Sequence, residues 1–225
     1  MVSDEGDLDV ALLRTLGTST VSDALDRLGI EGQCFGIRPL DRTFRLAGPA
    51  FTVRYGAAGS GTGSVGDFLD SVGPGQVAVL DNRGRTDATV WGDLMTLAAH
   101  RQRLAGTVID GVCRDVDRAM EVGYPLFSRG SWMRTGKDRV NLEEIGGPVV
   151  IGGVRVEPGD LILGDGDGVL AVPKRGFAQV AAVAREIEAA EVAIRAAINS
   201  GETLGRARAS VGYHQLQTRR SGGGT

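Results

Sequence analysis

The chain has 225 residues, enough for one domain or two small ones with a full core. A hydrophobic content of 42%, a charged content of 24% and a net charge of -3 with interspersed signs give no electrostatic case for a nucleic acid or an anionic membrane as partner. No stretch approaches the roughly 20 apolar residues of a membrane span, and acids (Asp4, Glu5, Asp7, Asp9) stand where a signal peptide needs a basic and then an apolar run, so the expected location is cytoplasmic.

The pattern opens with a helix over Leu8 to Leu16 and a second beginning at Ser19-Thr20. There Thr20 and Asp23 have capping-box spacing and Gly29 supplies a C-terminal stop. Gly48-Pro49 leads into a strand from Ala50 to Tyr55. The loop GAAGSGTGS (56–64) lacks the Lys-Ser/Thr ending of a phosphate cradle and reads as a plain connection. Pro74-Gly75 turns the chain into a strand from Gln76 to Asp81.

Residues 91–115, WGDLMTLAAHRQRLAGTVIDGVCRD, are the most informative stretch. Trp91-Gly92-Asp93 reads as a helix start, and Leu94, Leu97, Ala98 and Leu104 recur at helical spacing until Gly106. Thr107-Val108-Ile109 is a short β-branched strand, and Arg114-Asp115 stands at its exit. A cation, a carboxylate and a helix N-terminus in one unit suit a small dicarboxylate and a divalent metal.

A short helix then runs from Asp115 to Val122, ended by Gly123. Residues 125–172 read as strands, clearest at 149–151, 154–156, 161–163 and 169–172, with turns at Gly152-Gly153 and Pro158-Gly159. A long helix follows, from about Pro173 to Ser200, and the tail TRRSGGGT is expected to be disordered. The 35 glycines, roughly twice the usual share of about 7%, fall at element ends and indicate short strands and tight turns. The order predicts a layered α/β fold, as a single domain over 1–215 with a tail at 216–225.

Other groups with potential chemistry are weaker. Cys34 and Cys113 have no metal-ligand spacing and fit a reducing compartment; Cys113 adjoins Arg114 but reads as a buried thiol. His100 and His214 lack partners at ligand spacing. Gly164-Asp165-Gly166-Asp167-Gly168 lacks the spacing of a Ca²⁺ loop and reads as a turn between strands. Phe177, Val180, Ala184, Ile187, Ile194 and Ile198 form an apolar stripe on the C-terminal helix, with Glu191 in its middle, and a charge there needs a partner.

Taken in order, TVSDALDRLG (20–29), WGDL, DGVCRD, FSRG (127–130) and PGDLILGDGDGVLAVP (158–173) resemble the RraA-like family. That family comprises the regulator-of-ribonuclease-activity A proteins and the class II pyruvate aldolases, which cleave 4-hydroxy-4-methyl-2-oxoglutarate and 4-carboxy-4-hydroxy-2-oxoadipate. The resemblance implies a three-layer α-β-β sandwich with a long C-terminal helix, and a homotrimer or trimer-based hexamer with active sites between subunits. In the aldolase branch a Gly, an Arg-Asp pair and a further acid recur. Gly92, Arg114 and Asp115 match, but Arg118 stands near the place of the last acid.

By that resemblance, Asp115 would bind Mg²⁺, Mn²⁺ or another divalent cation; its plain alternative is a helix cap. Arg114 would hold the keto oxygen and the developing enolate, or else pair with Asp110 or Asp117. Asp93 would act through a water on the metal, or serve only as a first-turn acid. The N–H groups of Asp93, Leu94 and Met95, with Gly92 before them, would receive the substrate carboxylate. Glu191, or else Glu188, would reach a neighbouring subunit's metal through water, and Asp23 could approach the same cleft. Arg118 would favour a second or third substrate carboxylate, or simply pair with Glu121 or Asp117.

The implied activity is a metal-dependent lyase releasing pyruvate from a 4-hydroxy-2-oxo acid, with oxaloacetate decarboxylation as a second activity through the same enolate. No Schiff-base lysine is needed, and Lys137 and Lys174 lie outside the core motif. The alternative is a non-catalytic regulator that binds a ribonuclease or helicase. A methyltransferase is disfavoured, because no strand leads into a glycine-rich nucleotide turn.

Overall fold

The computed structural model describes residues 4–58 and 65–213, with the side chains of 4–8 excepted. In chain order the helices are α1 (Asp4–Leu13), α2 (Thr18–Leu28), α3 (Asp93–Arg101), α4 (Val116–Val122), α5 (Phe177–Asn199) and α6 (Leu204–Ser210). The strands are β1 (Arg38–Pro39), β2 (Leu46–Ala57), β3 (Val77–Thr89), β4 (Gly106–Cys113), β5 (Leu126–Ser131), β6 (Val140–Ile145), β7 (Val149–Ile151), β8 (Val154–Val156), β9 (Leu161–Asp165) and β10 (Gly168–Val172). The chain divides into two compact units, one of Met1–Glu31 with Arg175–Thr225 and one of Gly32–Lys174.

The second unit is built on a sheet of order β1-β5-β4-β3-β2-β9-β10, with β6 also paired to β2. β2, β3, β4 and β5 run parallel, while β9 and β6 join β2 antiparallel at its two ends. Strands buried on both faces need apolar residues at successive positions, which is why Val77-Ala78-Val79-Leu80 does not alternate with polar residues. The pleat sends the two sets to opposite sides. Ala78, Leu80, Ile109 and Leu126 pack with Trp91, Ala99, Ala119 and Tyr124 from the α3–α4 side. Val77, Val79, Val108 and Phe127 pack with Val149, Ile151, Val154 and Val156 of the β7–β8 hairpin, and with Ile162 and Val169. The layers are therefore helix, sheet and strand, the α-β-β arrangement expected.

Two buried acids, at the point where the regular parallel pairing of β3 and β4 ends, pin the hairpin to this sheet. Asp81 accepts the N–H of Val150 at 3.2 Å and of Arg83 at 2.8 Å. Asp110 accepts the N–H of Gly152 at 2.8 Å and pairs with Arg129. Asp110 is thus committed to Arg129 and is not the partner of Arg114 considered from the sequence.

In the first unit α2 and α1 pack on α5. Val21, Ala24 and Leu25 of α2 and Val180, Ala184, Ile187 and Ile194 of α5 are buried, and buried Arg27 pairs with Glu186 at 2.8 Å.

Several elements differ from expectation. α2 begins at Thr18 with Gly17 as its N-cap and no side-chain cap, so the Thr20–Asp23 capping box is not formed; Thr20 instead donates to Glu188 at 3.5 Å. Gly29 does end the helix, at φ 68°. α3 ends at Arg101, and Gly106 opens β4 rather than stopping the helix. Its φ of 150° and the 2.7 Å that would separate a Cβ from the Pro125 carbonyl oxygen leave room only for glycine. β2 and β3 extend well beyond the strands predicted at 50–55 and 76–81, and Gly56-Ala57 of the supposed loop belong to β2. Asp165 and Gly168 pair across the β9–β10 turn, as expected of the Gly-Asp run. α6 had no sequence signal. Residues 59–64, His214 and the tail lie outside the described residues. No described helix is long and apolar enough to cross a membrane.

Candidate active site

The site forms where β4 ends and α3 begins, both in the second unit. Arg114 leaves β4 with its N–H bonded to the Trp91 carbonyl at 3.0 Å, so the two segments 91–93 and 113–115 lie side by side. Asp115 then takes a left-handed conformation (φ 56°, ψ 44°) at the N-cap position of α4, unusual for a residue with a side chain though tolerated best by Asp and Asn. Its side chain does not cap α4. It turns toward α3, where Oδ2 accepts the Asp93 N–H at 3.3 Å and lies 3.4 Å from Arg114 Nε. The capping alternative is excluded, and so is pairing of Arg114 with Asp110.

Gly92 makes this crossing possible. A Cβ there would stand 2.9 Å from Asp115 Oδ2 and 3.3 Å from Arg114 Nε. As the N-cap of α3 without a side-chain cap, it also leaves the helix's first N–H groups unsatisfied by the helix itself. One of them, from Asp93, meets the Asp115 carboxylate.

A hollow of about 160 Å³ opens beside these groups, lined by residues that include Asp93, Leu94, Met95 and Arg114. Its back is rigid: Trp91 stacks on Tyr124 and donates to Thr96 at 2.9 Å, and Thr96 in turn donates to the Gly92 carbonyl. The hollow thus gathers Gly92, Asp93, Leu94, Met95 and Arg114, the group named from the sequence, with Asp115 against Gly92.

The hollow also contains residues the sequence reading missed: Val65, Thr89 and Thr135. Thr89 and Thr135 form an isolated parallel bridge between segments 46 residues apart in the chain, and no local pattern announces such a pairing. The backbone N–H of Lys137 donates to Thr135 Oγ1 at 3.3 Å. Leu94, expected on a buried face, is 76% exposed, and Met133 beyond β5 is 71% exposed.

The remaining candidates lie elsewhere. Arg118 pairs with Glu121 at 2.5 Å and is not among the residues lining the hollow, which is the plain surface-pair reading. Glu191 and Glu188 belong to the first unit. There Arg195 pairs with Glu188 at 2.7 Å and Glu191 at 3.3 Å, and the Tyr213 hydroxyl donates to Glu191 at 3.5 Å. The charge in the apolar stripe therefore has partners within its own unit; Ile198, predicted on the stripe, is exposed. Asp23 is on α2, in the same unit as Glu191. Cys113 is buried, with its thiol 3.6 Å from Ser128 Oγ, and burial raises its pKa, in keeping with an inert thiol. His100 lies exposed on the last turn of α3.

Among the described residues no three His, Cys, Asp or Glu side chains converge to hold a metal. The site does fit a cation that keeps most of its water: Asp115 is a half-exposed carboxylate, the adjacent Asp93 is a second, and both are hard oxygen donors.

The family model described as RraA-like, Aldolase/RraA, matches residues 18–171. The chain belongs to the RraA-like family. Protein DlpA of Legionella pneumophila is 39% identical over 201 residues, 88% of this chain, although this chain spans only a third (33%) of DlpA. A protein of Halalkalibacterium halodurans, named provisionally as a 4-hydroxy-4-methyl-2-oxoglutarate aldolase, is 34% identical over 190 residues, covering 84% of this chain and 88% of that protein. The crystal structure of Streptomyces coelicolor RraAS2, described as an unusual member of the RNase ES inhibitor RraA protein family, superposes with a TM-score of 0.75 at 29% identity, over 81% of this chain and 93% of that one.

Proposed function

We propose that this RraA-like protein is a divalent-cation-dependent lyase that cleaves a 4-hydroxy-2-oxo acid, of the 4-hydroxy-4-methyl-2-oxoglutarate type, to release pyruvate. Oxaloacetate decarboxylation would be a second activity. The observation that carries this reading is the crossing of Arg114 and Asp115 over Gly92 at the edge of a hollow sized for a small acid.

In this reading the α3 N-terminus receives the substrate's C1 carboxylate, since its N–H groups and helix dipole favour an anion. The Arg114 guanidinium, permanently charged and planar, donates to the C2 oxygen as charge builds there when the C3–C4 bond breaks. Asp115, helped by Asp93 through water, would hold the cation. Bound Mg²⁺ or Mn²⁺ would supply Lewis-acid polarisation of the 2-oxo acid oxygens. Asp93 would order the water that takes the proton from the C4 hydroxyl. Arg139, whose guanidinium donates to the Thr135 carbonyl at 3.4 Å, is a cation at this edge for a carboxylate beyond C4.

Assembly into a homotrimer or hexamer belongs to the same proposal, with support from the exposed Leu94 at the hollow and the exposed Met133 beyond β5. Glu191 of a neighbouring copy would then act through water on the cation. The two buried, unpaired cysteines fit a cytoplasmic setting.

The rival is a regulator that catalyses nothing, favoured by the likeness to RraAS2. A pyruvate-release assay on oxaloacetate and two 4-hydroxy-2-oxo acids, with and without chelator, separates the two. Release that stops with chelator and returns with Mg²⁺ is expected. Release undiminished by excess chelator would remove the cation from the scheme, and no release from any substrate would leave the regulator.

A further inference from the structure

The two hydroxyls of the hollow are not equivalent. Thr89 Oγ1 donates to the Arg134 carbonyl at 3.1 Å, so its proton is committed to the backbone. Thr135 Oγ1 is an acceptor in its one described hydrogen bond, from the Lys137 N–H at 3.3 Å, and the Arg139 guanidinium takes the Thr135 carbonyl rather than the hydroxyl. A threonine hydroxyl has one proton to give and two lone pairs. At Thr135 a lone pair is used, and no described protein group accepts the proton.

Position adds to this. Thr135 bridges to Thr89, whereas Arg114 is bonded to the carbonyl of Trp91, and Gly92 follows. Thr89 to Gly92 runs through the hollow's lining. Val90 is a bend just past the end of β3, so at about 3.3 Å per residue the two anchors are at most roughly 10 Å apart. Two hydrogen bonds of about 3 Å each leave between them the length of a short carbon chain.

On the lyase reading above, we infer that Thr135 is a substrate-contacting residue whose hydroxyl donates to the oxygen carried on C4. In a 4-hydroxy-2-oxo acid that oxygen is the C4 hydroxyl, which loses its proton and becomes the carbonyl of the departing fragment while the C3–C4 electron pair passes into the pyruvate enolate. In oxaloacetate it is a carboxylate oxygen of the group that leaves as CO₂. Thr135 therefore serves substrates bearing an oxygen on C4 and contributes nothing to holding pyruvate, which has no C4. Arg114 and the α3 N-terminus hold the half that both ligands share.

The experiment compares the wild type with Thr135→Val, which keeps shape and removes the hydroxyl, and Thr135→Ser, which keeps the hydroxyl. Each is assayed with Mg²⁺ for kcat and KM on oxaloacetate and a 4-hydroxy-2-oxo acid, and for inhibition by pyruvate. Thr135→Val should lower kcat/KM on the order of 10–100-fold with an unchanged pyruvate inhibition constant, and Thr135→Ser should restore most of the loss. Wild-type kcat/KM in the valine variant would overturn the role of Thr135 and leave the lyase reading standing. Equal weakening of pyruvate inhibition would also overturn it, since the substitution would then be acting on the whole hollow. A wild-type protein that releases no pyruvate would overturn the lyase reading, and this inference with it.

Discussion

Gly92 lies directly beneath Asp115: a Cβ at position 92 would come within 2.9 Å of the Asp115 carboxylate and 3.3 Å of Arg114 Nε. The backbone at Gly92 is extended (φ -151°), so the absent side chain, and not the conformation, is what the position requires. Gly92→Ala should therefore fold normally while displacing both charged side chains. The expected outcome is a melting temperature close to wild type with turnover lowered on the order of 10²-fold, the usual consequence of misplacing catalytic groups by about 1 Å. Thermal melts and pyruvate release on the same preparation check this; a fully active Gly92→Ala would show that the crossing is not used.

Asp115 combines two demands, a left-handed backbone and a carboxylate aimed at α3. Asn tolerates that backbone nearly as well as Asp, whereas a left-handed Ala costs about 1 kcal/mol. Asp115→Asn should keep wild-type stability and lose activity and Mg²⁺ response together. Asp115→Ala should lose both and unfold at lower denaturant. Urea titrations of the two variants separate the backbone effect from the chemical one.

Arg114→Lys keeps the charge but loses the planar fork. If the guanidinium donates to the developing enolate, kcat should fall on the order of 10²–10³-fold, as it does when one oxyanion donor is removed. Near-normal turnover in this variant would take Arg114 away from the reacting oxygen.

Burial, and secondarily the charge of Asp110, pushes the Cys34 thiol from 9.0 up to about 12. An unfolded chain therefore releases this proton from about pH 9, while the folded chain keeps it to about pH 12. Stability from this group is complete below pH 9 and declines as pH rises through that window. Melting temperatures should drop between pH 9 and 11, and Cys34→Ala, less stable at pH 7 for its lost packing, should drop less over that range. An equal slope in the variant would assign the alkaline loss to other groups, among them buried Tyr55, whose pKa burial also raises.

What the sequence made legible follows from how local each signal is. α4 and its Gly123 stop and the β9–β10 turn depend on neighbours in the chain and are found as read, and one strand between two motifs is enough to bring Gly92, Asp93, Arg114 and Asp115 side by side. α3 misled because its apolar residues were assigned to a buried face; Thr96 and Ala99 are the residues buried there, while Leu94 faces outward. The Thr89–Thr135 wall of the hollow was invisible because an isolated bridge between distant segments leaves no periodicity. Thr20 had the right residue type for a cap, yet Gly17 starts the helix a turn earlier and Thr20 meets Glu188 of α5, a contact spanning most of the chain.

β2 changes partners along its length: Leu46 to Pro49 pair with β9, and Ala50 to Arg54 with β3. The second pairing needs the chain only as far as Asp81, whereas the first waits for residues 161–164. During synthesis the parallel β2–β5 core can therefore assemble while the first third of β2 still presents an unpaired edge carrying Leu46, and such edges recruit other chains. Amide exchange during refolding should protect Val79 and Ile109 before Ala47 and Leu163, and aggregation of nascent or truncated chains should be most severe for those that end between β5 and β9.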